Sequence, residues 1–297
     1  MTAPPINQRE WLAARFEEHR PRLRAVAYRM LGSVTDAEDA VQEVWVRISS
    51  ADTTGVANMR LWLTTIVGRV CLNMLRLRRS HPPEVHVPDP VVSFDESVDP
   101  EHEALLADAV GLALLVVLDT LAPAERLAFV LHDMFAVPFD DIATLLDRSP
   151  AGVRQLASRA RRRVRGSPEP DRDLARQRKV VDAFFTASRD GNFDALLAVL
   201  DPDVELRIDG GVLREDASVI LRGGKAVSAH TAVYSKLYPY VMPALVNGAA
   251  GAVVAVGRRP FSVMAFTVAN GRIAAIDALL DPDRLAGLDV SIPAQRG

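Results

Sequence analysis

Six arginines occupy the twelve positions 154–165, RQLASRARRRVR, without a single acid among them. Guanidinium groups stay charged at any physiological pH and present planar forks of donors that match phosphate oxygens and the guanine edge. A solvated helix face normally mixes signs for i,i+4 pairing, whereas Arg161 and Arg165 repel at that spacing with no acid in the stretch. A membrane-surface helix would set Leu, Phe or Trp opposite the arginines, and the opposite face here offers mainly Val and Ala. Duplex nucleic acid is the partner that fits, with arginines on phosphates and one or two side chains near the helix start on base edges.

A second basic segment asks for a different geometry. Arg60, Arg69, Arg76, Arg78 and Arg79 are interleaved with Trp62 and Asn73, Asn58 stands just ahead, and no acid interrupts them. Flat rings, amides and cations together suit unstacked single-stranded bases. A core tryptophan is an equally good reading of Trp62 alone. Residues 80–125 then hold no Lys or Arg but many acids, among them Glu84, Asp89, Asp95 and Glu96. Two basic patches separated by an acidic connector look like two contacts on one long polyanion, a pattern that the net charge of −3 conceals.

Helices must carry both patches. Trp11, Phe16, Leu23, Val26, Ala27, Met30 and Leu31 recur at helical intervals, and Gly32 breaks the pattern. Thr35 or Asp36 is the expected cap of the next helix, DAEDAVQEVWVRISS. After a polar loop comes RLWLTTIVGRVCLNMLRLRR, with Leu61, Leu63, Ile66, Val67, Val70 and Leu75 on its apolar side. The segment from Ser80 to Asp99 is rich in proline and acid, which predicts an extended linker rather than a packed element. Helical patterning returns at about Glu103 and ends in a short helix (Phe139 to Leu146), a tight turn at Asp147–Arg148 and a helix capped by Ser149 with Pro150 at its first position. That order matches a helix-turn-helix. GSPEPD, residues 166–171, reads as a hinge.

Beyond the hinge the texture is α+β. Two helical stretches precede the strand-like runs VELRID, AVVAV, FSVMAFTV and RIAAIDALL, with turns at Asp209-Gly210-Gly211, Asn247-Gly248 and Asn270-Gly271. Helices followed by a curved antiparallel sheet would enclose a pocket, with Arg207, Asp209, His230, Tyr234, Tyr238, Met264 and Asp277 as candidates for its lining. Neither Asp209, beside a Gly-Gly turn, nor Asp277, on the final strand, is clearly a pocket base. Gly223-Gly224-Lys225 lacks the spacing of a phosphate loop and reads as a turn that starts a helix.

Other chemistry finds little support. The histidines show no HExxH or CxxC-type spacing, so neither zinc nor another cofactor is expected. The lone Cys71 excludes an internal disulfide framework and sits in an apolar helical pattern, as a small core residue would. The first twenty residues have scattered charge and no signal-like apolar core, and the longest apolar run, Ala109 to Leu118, is too short to span a bilayer. A cytoplasmic protein with no membrane partner is expected.

DAEDAVQEVWVR, NMRLWLTTIVGRVCLNMLRLRR and LAPAERLAFVLHDMFAVPFDDIATLLDRSPAGVRQLASRARRRV, in that order, resemble regions 2 and 4 of sigma-70 family factors of the extracytoplasmic-function (group 4) class. The resemblance implies two all-α domains, region 2 over 1–80 and a helix-turn-helix region 4 over 103–166, joined by an acidic linker at 81–102. It implies core RNA polymerase as partner, with Asp36, Glu38, Asp39, Gln42 and Glu43 on the β′ clamp helices, region 4 on the β flap, and promoter DNA beneath both. Asn58, Arg60, Trp62, Thr65, Arg69, Asn73, Arg76 and Arg79 would then hold the single-stranded −10 element. Arg148, Ser149, Arg154, Gln155, Ser158, Arg159 and Arg162 would read the −35 duplex. The acidic connector falls where such factors thread a chain through the polymerase channels.

After a hinge at 167–173, residues 174–290 resemble a SnoaL-like domain of the NTF2-like cone fold, an α+β unit that modulates sigma factors to which it is fused. Asp209, Gly210, Gly211, Asp281, Asp283 and Arg284 resemble motifs of those subfamilies, which makes them candidates for interdomain regulation, and the cone has room for an unknown small ligand. No enzymatic activity is expected. The competing classes are an ordinary helix-turn-helix regulator with a ligand-sensing cone, and a cone-fold isomerase carrying a DNA-binding module.

Overall fold

In the computed structural model the described residues are 8–51, 53, 55–78, 85–94, 111–233, 239–288, 290 and 292. The chain folds as two compact units, the first taking most of the residues up to 164 and the second residues 83–99, 109–116 and 165–297.

The first unit is helical. Helix α1 (Gln8–Leu31) packs against α2 (Val34–Ile48) and α3 (Met59–Arg78). Leu23, Val26, Met30, Val41, Val44, Leu63, Val67 and Cys71 are buried, so the apolar periodicity of the sequence marks the core face of each helix. Burial pushes the Cys71 thiol far above its ordinary range. Ser33, rather than Thr35 or Asp36, caps α2, its hydroxyl accepting from the Asp36 amide at 3.3 Å. The left-handed Gly32 (φ 68°) ends α1 one residue earlier and sets Ser33 in the extended cap conformation.

Helix α4 (Leu112–Asp119) precedes α5 (Pro123–Phe129), a π turn at Val130–Met134, α6 (Phe139–Leu146) and α7 (Pro150–Arg165). Within this unit α3 lies close to α5 and α6. Gly68 of α3 permits the approach, since a Cβ there would stand 3.1 Å from Leu131 and 3.2 Å from Leu127. The buried Arg126 adds polar fastening, donating to the Met30 carbonyl at 2.8 Å, the Leu118 carbonyl at 2.6 Å and Asp119 at 2.5 Å.

The second unit contains helices α8 (Leu174–Arg189), α9 (Phe193–Val199) and α10 (Gly224–Val233) and a sheet of seven described strands. These strands are β1 (Val92–Ser93), β2 (Leu200–Asp209), β3 (Val219–Arg222), β4 (Val241–Val246), β5 (Ala249–Val256), β6 (Arg259–Ala269) and β7 (Arg272–Leu279). Their order is β1-β4-β5-β6-β7-β2-β3, antiparallel except for the parallel pair β2/β7. The β4–β5 and β6–β7 turns are Asn247-Gly248 and Asn270-Gly271, all four residues at positive φ as such two-residue hairpins require. Phe184, Val204, Val227, Phe266, Ile273 and Ile276 belong to the core between helices and sheet. This helices-on-sheet layout is the α+β cone anticipated for the carboxy-terminal half.

One expectation fails here. The described part of the acidic connector is packed: Val85, Val87, Val91 and Val92 are buried, and Val92-Ser93 pairs with Val246 and Leu245 as the sheet's edge strand. Alternating valines supply the apolar contacts that a proline- and acid-rich composition obscures. Glu84, Asp95 and Glu96 lie outside the described residues.

Candidate nucleic-acid interface

Helix α7 follows a tight left-handed turn and begins on a side-chain cap. Asp147 adopts the left-handed conformation (φ 51°) at the end of α6, and the Ser149 hydroxyl accepts from the Gly152 amide at 3.1 Å. Val153, Leu156, Ala157 and Ala160 are buried and Val164 is half-buried. At helical spacing the side opposite that core carries Arg154, Gln155, Ser158, Arg162 and Arg165, all exposed, with Arg148 and Ser149 exposed at the turn.

The flanks of the same helix behave differently. Arg159 donates to Glu125 at 2.7 Å and Arg163 to the same carboxylate at 3.1 Å, while Arg161 on the other flank donates to Asp133 at 2.6 Å. The acids missing from the sequence stretch are thus supplied by α5 and the π turn, which corrects the reading of these arginines as without acidic partners. Burial works against charge on Glu125, but the hydrogen bonds from Arg159 and the Ala122 backbone and the charge of Arg163 outweigh it and hold the carboxyl below its ordinary range. Arg159 is therefore anchored, with its side chain still 47% exposed. Arg154 lies over the Phe139 ring at 5.4 Å, which steadies its guanidinium at the start of the helix.

Helix α3 brings together Trp62, Thr65, Arg69, Asn73 and Arg76 on the face opposite its buried Leu63, Val67, Val70 and Cys71. Arg69, Asn73 and Arg76 are exposed, and Trp62 and Thr65 are half-buried. Trp62 therefore belongs to the presented face rather than to the deep core. Asn58 caps the helix through Oδ1, which accepts from the Leu61 amide at 3.0 Å, and Arg60 is exposed in the first turn. Among the described residues Arg60, Arg69 and Arg76 make no ion pair. Arg79 lies outside the described residues.

The acidic set of α2 is split. Glu38 pairs with Arg24 at 2.5 Å and with Arg20 at 3.7 Å, and Glu43 pairs with Arg47 at 2.8 Å. Asp39 and Gln42 are exposed, and the Asp36 amide serves the Ser33 cap.

In the second unit the candidate regulatory residues form an ionic clasp. Asp209, 3% exposed, accepts from the Val87 amide at 2.9 Å and from Arg284 at 2.7 Å through Oδ2, and from the Gly211 amide at 3.0 Å through Oδ1. Arg284 also donates to Asp89 at 2.7 Å and to the Val87 carbonyl at 2.5 Å. Asp281 caps α11 (Pro282–Gly287), accepting from the Asp283 and Arg284 amides at 2.9 and 3.2 Å, while the Asp283 side chain is exposed. Gly211 is obligatory on two counts: its φ is +63°, and a Cβ would sit 2.0 Å from Asp281 Oδ2. A Cβ on Gly210 would meet the Arg214 carbonyl at 2.1 Å. Pro88-Asp89-Pro90 is therefore seated on the cone by the two motifs.

The cavity lies on the opposite side of the sheet. Strand alternation turns Leu206 and Ile208 of β2 and Ile276 and Ala278 of β7 into it, and Arg207, Asp209 and Asp277 away. Of the candidates for its lining, His230 and Met264 are there, while Arg207 donates to the buried Asp277 at 2.6 Å on the other face and also contacts Glu205. Burial raises the Asp277 carboxyl above its ordinary range, opposed by Arg207. Tyr234 and Tyr238 lie outside the described residues. The expectation that Arg207, Asp209 and Asp277 line the pocket is therefore corrected: the period-2 alternation of β2 and β7 puts all three on the other face.

The models of sigma-70 region 2 and sigma-70 region 4 match residues 15–81 and 111–164. The ECF RNA polymerase sigma factor SigJ of Mycobacterium tuberculosis is 38% identical over 290 residues, covering 92% of this chain and 92% of its own. The chain belongs to the ECF RNA polymerase sigma factor family. A probable ECF sigma factor, SigI of the same species, is 36% identical over 94% of this sigma factor and 97% of its own length. The crystal structure of SigJ superposes with a TM-score of 0.76 at 35% identity, spanning 94% of this sigma factor and all of that chain. The likeness runs through the cone as well as the two sigma regions. Among the described residues of this sigma factor, no helix is long and apolar enough to cross a membrane.

Sequence reasoning missed the anchoring acids Glu125 and Asp133 and the fastening Arg126. Glu125 follows APA at a helix start and looks like an ordinary first-turn acid. Its distance of 34 residues from Arg159 leaves no local signal.

Proposed function

We propose that this sigma factor docks on core RNA polymerase through the acidic face of α2 on the β′ clamp helices and through region 4 on the β flap. Helix α7 reads the −35 duplex with Arg148, Ser149, Arg154, Gln155, Ser158 and Arg162, and Arg159 sets the helix against Glu125 while its exposed portion meets phosphate. Helix α3 takes the unwound −10 strand on Asn58, Arg60, Trp62, Thr65, Arg69, Asn73, Arg76 and Arg79. The observation that carries the reading is the pair of outward stripes, one arginine-amide stripe following a capped turn and one mixing tryptophan, amide and arginine. Residues 174–290 act as a regulatory cone that binds rather than turns over a ligand, and the clasp of Asp209, Gly210, Gly211, Asp281, Asp283 and Arg284 ties the connector to it.

The test is reconstitution. Full-length protein with core polymerase should form open complexes on a cognate promoter, crosslink through Trp62 to the forked single strand and through Arg159 to the upstream duplex. A chain cut after Gly166 should change transcription from those promoters. Binding as a homodimer to a palindrome without core polymerase would overturn the assignment in favour of a conventional regulator.

A further inference from the structure

The cavity of the cone is lined almost wholly by hydrocarbon. Phe184, Phe185, Ile208, Val254, Phe261 and Met264 supply much of its wall, and His230, Thr231 and Ser262 are its polar side chains among the described residues. No Asp, Glu, Lys or Arg lies among the described lining residues. A charged ligand would lose its hydration there without a counter-ion, so a neutral one is favoured. Burial also depresses the basicity of His230, which keeps the wall neutral near pH 7.

Ser262 supplies the second observation. Its residue is 4% exposed, and its hydroxyl oxygen is buried with no hydrogen-bond partner among the described atoms. Buried hydroxyls are normally satisfied, and an orphan on the wall of a cavity marks a place where something else completes the bond. Thr231, by contrast, already donates to the Val227 carbonyl at 2.8 Å. The cavity volume is about 90 Å³, against the roughly 150 Å³ of an apolar cavity that takes benzene, so a single ring or a short branched chain is the size that enters with modest adjustment.

We propose that this cavity binds a neutral, mostly hydrocarbon small molecule of about single-ring size that carries one hydroxyl or carbonyl oxygen hydrogen-bonded to Ser262. The proposal rests on the reading of the cone as a ligand-binding unit and names the chemistry it selects. Turnover is not part of it, because the acids Asp209 and Asp277 face the other side of the sheet.

The test uses the full chain, with ¹³C-methyl-labelled methionine and the Met264 signal identified by a Met264→Leu variant. Titration with p-cresol should shift that methyl saturably. Toluene, which keeps the ring and lacks the oxygen, should bind about five- to tenfold more weakly, and p-toluate, the anion of the same size, should leave the signal in place. Ser262→Ala should bring p-cresol down to the affinity of toluene, and Ala278→Phe should abolish both by filling the cavity. If the Ala278 variant fails to fold, the Ser262 comparison still decides. An unresponsive Met264, equal binding of toluene and p-cresol, or binding of p-toluate would overturn the proposal. None of these measurements involves polymerase, so their failure is distinct from failure of the promoter-recognition reading, which the open-complex experiment addresses.

Discussion

Along α3 and α7 the guanidinium groups stand out from the helices in solvent-facing stripes, whereas in the carboxy-terminal half Arg207 and Arg284 turn theirs inward onto Asp277, Asp209 and Asp89. The same side chain thus serves two ends. An exposed arginine beside no acid keeps its charge for a polyanion and contributes through counterion release. A half-buried arginine between two buried acids has its charge already matched, and it specifies where a remote segment must sit. The comparison breaks most visibly at Arg284. Arg284→Ala removes the guanidinium from the buried carboxylates of Asp209 and Asp89, at a cost of about 3 kcal/mol. The Val87 amide, which donates to Asp209, should then exchange its proton about two orders of magnitude faster. Arg165→Ala on the exposed stripe should leave that amide unchanged. Equal protection in parent and Arg284→Ala protein would show that the clasp does not hold the connector.

A second contrast separates the two outward stripes. Trp62→Ala should weaken binding to a single-stranded −10 oligonucleotide by about 1–3 kcal/mol and leave duplex affinity nearly untouched. Arg162→Ala should do the reverse, lowering duplex affinity roughly tenfold and reducing the salt slope by about one. Both are read by fluorescence anisotropy of the holoenzyme on the single-stranded −10 oligonucleotide and on a −35 duplex fragment across a salt series. If either substitution weakened the two templates alike, the division of labour between α3 and α7 would be lost.

How much of this was legible from the residues depends on the range of the interaction. The Ser149 cap, the apolar side of α7 and the outward stripe of α3 are set within one or two helical turns, and the sequence pattern carries them directly. Asn-Gly pairs likewise announced two hairpins through the positive φ each demands. The packed connector was hidden because Asp89 finds Arg284 across 195 residues, and nothing local distinguishes an acid awaiting a partner from one awaiting water. The pocket lining lay in between. Strand alternation alone sets Arg207 and Asp277 opposite Leu206 and Ile276, so those two could have been assigned to the outer face.

The smallest effect expected comes from Glu125, where the two kinds of arginine meet in one helix. Its carboxylate anchors Arg159 and Arg163, which are nevertheless about half exposed, so each pair contributes well under 1 kcal/mol after solvent screening. Because the folded-state pKa is depressed, that contribution is present above the carboxyl's unfolded value and disappears as pH falls through the folded one. Glu125→Gln should therefore lower the thermal midpoint slightly at pH 7, with the difference shrinking as the pH drops below about 4. At neutral pH the same variant releases two guanidinium groups on the flank of α7. Its affinity for non-cognate duplex should rise and its salt slope steepen, with cognate affinity little changed. An unaltered salt slope would mean that Arg163, like Arg159, already reaches the phosphates while paired, and that the flanks of α7 belong to the same charge reservoir as its outward stripe.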